Sequence, residues 1–263
     1  MKMKISVVTV CYNAADTIEK TMLSVLNQTY HDIEYIIIDG GSTDGTVEII
    51  RKYADRIAYW VSEPDKGIYD AMNKGIKVAT GEWINFMNAG DSLFSRDTLQ
   101  QFIESYPHMD VVYGYAMYMT QGRSFRFKNS PMSEIEKKMP FCHQAVFTKV
   151  ELLKKVLFDE RFKSSGDYNL YYNLYKQKCT FQNIDVIVAT FDASTGISKT
   201  AYKLVMRENA LIKGINHNIF WKIEYYSAIT IINMRYCMKK ILPSLFVEYF
   251  KKRSLQKYSD EKL

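Results

Sequence analysis

Along the first ninety or so residues, continuous apolar runs alternate with segments whose apolar positions recur every three or four residues. Residues 5–10 read ISVVTV, residues 35–38 read YIII, residues 57–61 form a third run, and residues 83–87 read WINFM. Short runs with this β-branched content predict strands buried on both faces, as in a parallel sheet. Between the first two, Asp16 is placed to cap a helix reaching about Asn27, with Ile18, Met22, Val25 and Leu26 on one face. Thr43 or Asp44 opens a second helix bearing Val47, Ile49 and Ile50, and residues 70–79 predict a third.

Strand and helix in strict alternation predict an α/β fold, a mostly parallel doubly wound sheet flanked by helices. Such sheets take ligands beyond the carboxyl ends of their strands. The polar and glycine-rich punctuation falls there: Asn13, then Asp39-Gly40-Gly41-Ser42, then Asn88-Ala89-Gly90-Asp91. Topology alone therefore proposes a site. The second half is less regular. Residues 111–120 and 124–127 predict a hairpin closing at Gln121-Gly122, residues 150–156 and 168–177 predict helices, and residues 180–190 a strand. Residues 203–217 and 219–250 carry helical patterns, the latter broken near Pro243.

The chemistry at these points suits a ligand with phosphates. A carboxylate at a strand end, as at Asp39, can accept from a base or a ribose, and the small residues beside it let backbone approach a ligand. A carboxylate on the next loop, Asp91, suits a hard cation that neutralises a diphosphate. Each motif alone also reads as a turn or a helix cap, and Asp44 in particular predicts a capping residue.

The ordered series is far more specific. ISVVTVCYNA, IEKTMLSVLNQTY, EYIIIDGGSTDGT and GIYDAMNKGIKVATGEWINFMNAGD together resemble the family 2 glycosyltransferases of the A-type fold. The resemblance spans residues 4–95 and continues to about 190 through CHQAVF and FDERFKSSGDYNLYYNL. The DGGSTDGT and NAGD spellings resemble the branch that builds bacterial surface polysaccharides.

That resemblance implies a nucleotide-binding half over about residues 1–95 and an acceptor half over about 96–198. It implies an inverting transfer from a nucleotide-diphosphate donor, a UDP-sugar first among them, to a saccharide or lipid-linked acceptor. Thr9 and Asp39 would contact base and ribose, with Asn13, Asn73, Lys74 and Asn88 also on the donor side. Asp91 would hold a divalent metal, Mn or Mg, Asp167 would be the catalytic base, and His143-Gln144 would lie on the acceptor side. The chain departs from the family pattern in carrying Asn88 and Gly90 ahead of Asp91, and Met72 where relatives carry arginine. A non-catalytic relative that only binds a sugar nucleotide is the competing expectation. An oxidoreductase is disfavoured, because no G-x-G-x-x-G follows the first strand.

Charge adds a second region. Residues 199–263 hold 13 basic and 5 acidic residues, a net of +8, which leaves 22 basic and 24 acidic residues, a net of −2, in 1–198. This predicts a C-terminal extension of basic helices, with Phe220, Trp221, Tyr225, Tyr226 and Phe246 interleaved among Arg235, Lys239 and Lys240 and followed by Lys251-Lys252-Arg253. Such a segment suits peripheral contact with an anionic membrane surface, and no motif points to nucleic acid. The four cysteines include no C-x-x-C pair, no apolar run is long enough to span a bilayer, and residues 5–10 run into polar turn residues rather than a cleavage site. The expectation is a cytoplasmic enzyme, at most peripheral on the inner face of the membrane.

Overall fold

The structure, a computed structural model, describes residues 3–120, 123–192 and 201–241. Two compact units divide the chain, Met1–Ile212 and Lys213–Leu263. The first extends past residue 198, because the helix at Tyr202–Ile212 packs as part of it.

Its strands are β1 (Ile5–Cys11), β2 (Ile33–Asp39), β3 (Tyr59–Ser62), β4 (Trp83–Phe86), β5 (Ser92–Leu93), β6 (Val111–Thr120), β7 (Arg123–Arg126), β8 (Val146–Lys149) and β9 (Phe181–Asp192). Its helices are α1 (Ile18–Leu26), α2 (Thr46–Lys52), α3 (Ile68–Val78), α4 (Thr98–Glu104), α5 (Val150–Lys155), α6 (Gly166–Lys176) and α7 (Tyr202–Ile212). The sheet order is β3-β2-β1-β4-β8-β6-β9-β5, with β7 on β6. β3, β2, β1, β4, β6 and β9 run one way and β8, β7 and β5 the other, so the sheet is mostly parallel, as its pattern predicts.

The reason for the unbroken apolar runs is visible in the two faces. Val8, Val10, Ile36 and Ile38 face α3 and α6, while Ile5, Val7, Tyr35 and Ile37 face the side of α1 and α4. A strand covered on both sides favours apolar residues on both faces, and the polar ones it does carry, Ser6, Thr9, Glu34 and Asp39, are buried with hydrogen-bond partners. The chain order reverses at β1, which lies between β2 and β4, so the loops leaving all three strands gather at one edge.

Three local expectations change. α1 begins after Thr17 with no side-chain cap, so Asp16 does not cap it. α6 begins at Gly166 rather than at 168, so Asp167 lies inside its first turn. β8, read from sequence only as part of a motif, inserts antiparallel between β4 and β6.

The second unit is described through α8 (Ile219–Ile241). This helix exposes Phe220, Ile223, Tyr226, Ile231 and Met234. No helix among the described residues is long and apolar enough to cross a membrane. Pro243, Phe246, Phe250 and Lys251-Lys252-Arg253 lie outside the described residues, as does the Gln121-Gly122 turn.

Candidate active site

The loops leaving β1, β2 and β3 are knitted into one wall. Asp39, fully buried at the end of β2, accepts from the Gly41 and Ser42 N–H groups at 3.1 and 2.9 Å, and from the Ser42 and Ser62 hydroxyls at 2.5 and 2.6 Å. Burial pushes its carboxyl up, but those hydroxyls and the Ser42 N–H outweigh it and hold Asp39 below the usual carboxylate range. Asn13 clips β1's loop to β2's: its N–H donates to Ser42 Oγ at 2.7 Å and its Oδ1 accepts from Thr43 N–H at 3.0 Å. Asp44 accepts from the N–H and hydroxyl of Thr46 at the start of α2, as a turn residue should, while the N-cap itself is Gly45. The sequence reading missed Asp65. Its carboxylate lies against Gly40, where an added Cβ would overlap Oδ2, and its Oδ1 accepts from Gly67 N–H at 2.8 Å. The polar turn EPDKG after the third apolar run was the available signal.

Three expected donor residues prove to be engaged elsewhere. Thr9 has no exposed surface, and its hydroxyl bonds to Tyr35 at 2.9 Å and donates to the Met87 carbonyl at 2.8 Å. Asn73 is 1% exposed. Its amide donates to the Phe158 carbonyl and to Glu160 and accepts from Phe158 N–H at 2.8 Å, so it clamps residues 158–160 to α3. Helical spacing puts it on the inward face with Tyr69, Met72 and Ile76. Lys74 is held by Glu63 at 2.8 Å and by the Pro64 carbonyl, with Asp70 4.0 Å away. Asp70 in turn accepts from Lys66 N–H, which gives that residue its place at the start of α3.

The chemistry-bearing groups meet where the loop after β4 faces the turn before β8. Gly90 takes φ +100°, open to glycine, and turns the NAGD loop so that Asp91 Oδ2 accepts from Gln144 Nε2 at 3.0 Å. Burial raises the Asp91 carboxyl above its usual range against the pull of the Gln144 N–H and His143. Cys142 Sγ donates to Gln144 Oε1 at 2.7 Å, and burial pushes this thiol up to about 12, so it keeps its proton. The amide of Gln144 is thereby oriented, oxygen to Cys142 and nitrogen to Asp91. Asn85 on β4 fixes the turn from below, donating to the Gln144 and Val146 carbonyls. His143 bridges outward: Nδ1 stands 3.3 Å from Asp167 Oδ2, and Nε2 lies 3.5 Å from Asn88 Nδ2. Both His143 and Asp167 remain about a quarter exposed, within reach of a ligand. Five expected residues, Asn88, Asp91, His143, Gln144 and Asp167, thus form one connected cluster.

The sequence profile described as Glycosyl transferase family 2 matches residues 6–178, the span that holds every member of this cluster. The chain belongs to that family. The glycosyltransferase is 32% identical over 216 residues to a PGL/p-HBAD biosynthesis glycosyltransferase of Mycobacterium bovis (strain BCG / Pasteur 1173P2), covering 74% of this chain and 79% of the relative. It is 41% identical over 102 residues, 38% of the chain and 39% of the relative, to an uncharacterized glycosyltransferase of Mycobacterium tuberculosis. Its fold is shared with S. aureus TarS 1-349 in complex with UDP, at TM-score 0.63 and 22% identity over 80% of this chain and 65% of that one, so the glycosyltransferase spans about two thirds of TarS 1-349. It is shared also with the mannosyltransferase PcManGT from Pyrobaculum calidifontis in complex with GDP-Man and Mn2+, at TM-score 0.62 and 16% identity over 97% and 81%.

Among the described residues, the side chains present would suit a divalent metal as an ion shared with the substrate rather than one held in a closed protein site. Among the described residues no three His, Cys, Asp or Glu side chains converge into a closed site. Two protein oxygens stand available on the loop: the Asp91 carboxylate, with Gln144 on one oxygen, and Asn88 Oδ1, buried without a partner. Hard cations are commonly held by one or two such oxygens, with substrate phosphates and water completing the shell.

Two further residues escaped the sequence reading. Tyr69 on α3 takes the Gly166 N–H on its hydroxyl at 2.8 Å, and its ring fills the space where a Gly166 Cβ would stand. Glu208 on α7 binds the backbone of residues 163–165. Neither lies in a motif by which its partner could have been named.

Proposed function

We propose that this glycosyltransferase moves a sugar from a nucleotide-diphosphate donor to an acceptor hydroxyl in one displacement that inverts the anomeric centre. The observation that carries this reading is the junction of Asp167, His143 and Asn88 beside the Asp91–Gln144 pair. The acceptor oxygen attacks the anomeric carbon as the bond from that carbon to the diphosphate oxygen breaks, and the acceptor proton passes to Asp167. His143 stands at Oδ2 of Asp167 and the Tyr168 N–H donates to Oδ1 at 2.8 Å, so the carboxylate is oriented from both sides and takes the acceptor proton on a remaining lone pair. Asn13 and the Asp39 loop form the wall against the nucleoside, Asp39 acting by shaping the backbone at Gly41 and Ser42. Asp91 and Asn88 would hold the divalent ion, which when bound supplies positive charge to the leaving diphosphate. A UDP-sugar is the favoured donor, in keeping with a neighbour solved with UDP, and a GDP-sugar is the alternative from the mannosyltransferase.

The acceptor in this reading is a saccharide or lipid-linked saccharide of a surface polysaccharide, met at a membrane that the basic C-terminal helices touch from the cytoplasmic side. A protein that fails to float with anionic liposomes would remove the membrane part of the reading.

The test is nucleoside diphosphate release from UDP-, GDP- and dTDP-sugars with Mn2+, Mg2+ or chelator. Metal-dependent release that is lost in Asp91→Asn and Asp167→Asn supports transfer. Donor-induced thermal stabilisation with no release, with or without acceptor, would instead mark a chain that only binds the sugar nucleotide.

A further inference from the structure

The four backbone N–H groups ahead of Asp167 are each held by a side chain from another helix. Lys163 N–H donates to Glu208 Oε1 at 2.7 Å, Ser164 and Ser165 N–H donate to Glu208 Oε2 at 3.0 and 2.7 Å, and Gly166 N–H donates to the Tyr69 hydroxyl at 2.8 Å. Glu208 is 8% exposed and sits on α7, beyond the stretch that the family profile matches. A buried carboxylate is costly unless its lone pairs are met, and a row of N–H groups meets them. Nothing in the transfer chemistry itself uses Glu208.

We propose that Glu208 is a positioning residue for Asp167: its carboxylate fixes the backbone of residues 163–165 and so sets the Asp167 carboxylate against His143. This rests on the reading of Asp167 as the base. A glutamine at 208 has the same shape but one acceptor oxygen, and its amide N–H would meet another N–H. It cannot keep all three bonds, so the segment relaxes and Asp167 moves. A displacement of about 1 Å at a reacting group can cost on the order of 100-fold in rate.

The His143 ring, 3.3 Å from Asp167, reports that movement without any substrate. The imidazole signals of the full chain are recorded by NMR for wild type, Glu208→Gln, Asp167→Asn and the double variant. The expected result is a clear change of the His143 signals in Glu208→Gln and little further change when that substitution is added to Asp167→Asn. A folded Glu208→Gln variant with wild-type His143 signals overturns the proposal, as does a full additional change in the Asp167→Asn background. In turnover, Glu208→Gln should lower kcat by about 10- to 100-fold with the donor KM within about twofold. An unchanged kcat would likewise overturn it. Asp167→Asn is assayed beside it, and wild-type turnover there would defeat the base reading while leaving the NMR comparison to decide on Glu208. Should Glu208→Gln fail to fold, Glu208→Asp, shorter by one methylene, carries the same comparison with the same deciding outcomes.

Discussion

His143 Nδ1 stands 3.3 Å from Asp167 Oδ2, and the two residues come from separate elements, the turn before β8 and the first turn of α6. The contact gives the imidazole a fixed partner on one side while Nε2 lies toward Asn88. If Asp167 takes the acceptor proton, removing it should lower kcat by about 10²- to 10⁴-fold, the range for general-base catalysis. His143→Ala should cost less, on the order of tenfold, because it removes an orienting contact and leaves the base. Steady-state kinetics on both variants check this, and equal losses in kcat would mean that His143 itself touches the reacting atoms.

Gln144 donates to Asp91 and accepts from Cys142, so it sets how the carboxylate faces the loop. Partners one step removed from a metal are typically worth about 10- to 100-fold in its affinity. If Asp91 holds the proposed divalent ion, Gln144→Ala should raise the Mn2+ concentration needed for half-maximal nucleoside diphosphate release by that factor, with kcat at saturating Mn2+ much less affected. Direct Mn2+ titration by electron paramagnetic resonance, in the presence of nucleoside diphosphate, gives the same comparison without turnover.

Asn73 should matter for stability rather than for donor affinity. Asn73→Ala strips both the Phe158 N–H and its carbonyl of their buried partner. Leaving such groups unsatisfied costs about 1–3 kcal/mol apiece, so a loss of roughly 2–6 kcal/mol is expected on urea unfolding. The donor KM, measured well below the melting temperature, should stay near wild type. A raised KM with unchanged stability would return Asn73 to the donor site.

Acid stability should depend on Glu34, far from the site. It accepts from Ser6 Oγ at 2.6 Å, from the Thr80 N–H at 2.6 Å and hydroxyl at 2.5 Å, and from Lys4 Nζ at 3.0 Å. Burial opposes ionisation, yet these donors bring the carboxyl from an ordinary 4.5 down to about 2. A carboxyl lowered on folding stabilises the protein above its unfolded value, and that contribution fades as pH falls toward the folded value. The contribution at neutral pH is on the order of 3 kcal/mol, lost progressively between about pH 4.5 and 2. Glu34→Gln should be less stable at pH 7, and its stability should fall less steeply across that acid window. Parallel curves for the two proteins would refute the assignment.

The chain's own pattern determined the alternation of the first half, because a buried strand and an amphipathic helix each write their period locally. The apolar runs became β1, β2, β3 and β4, and the punctuation at Asn13, Asp39 and Asp91 fell at the strand ends where a parallel sheet leaves room for a ligand. Only the tertiary structure decided the rest. The four residues of β8 carry too little periodicity to announce a strand, and their antiparallel place depends on the neighbours β4 and β6. The resemblance to the family implied donor contacts at Thr9, Asn73 and Lys74, but packing turned Thr9 and Asn73 inward and gave Lys74 to Glu63. Glu208 reaches backbone 43 to 45 residues earlier in the chain. A contact of that span leaves no local trace, because its partners become neighbours only once the helices and sheet have packed.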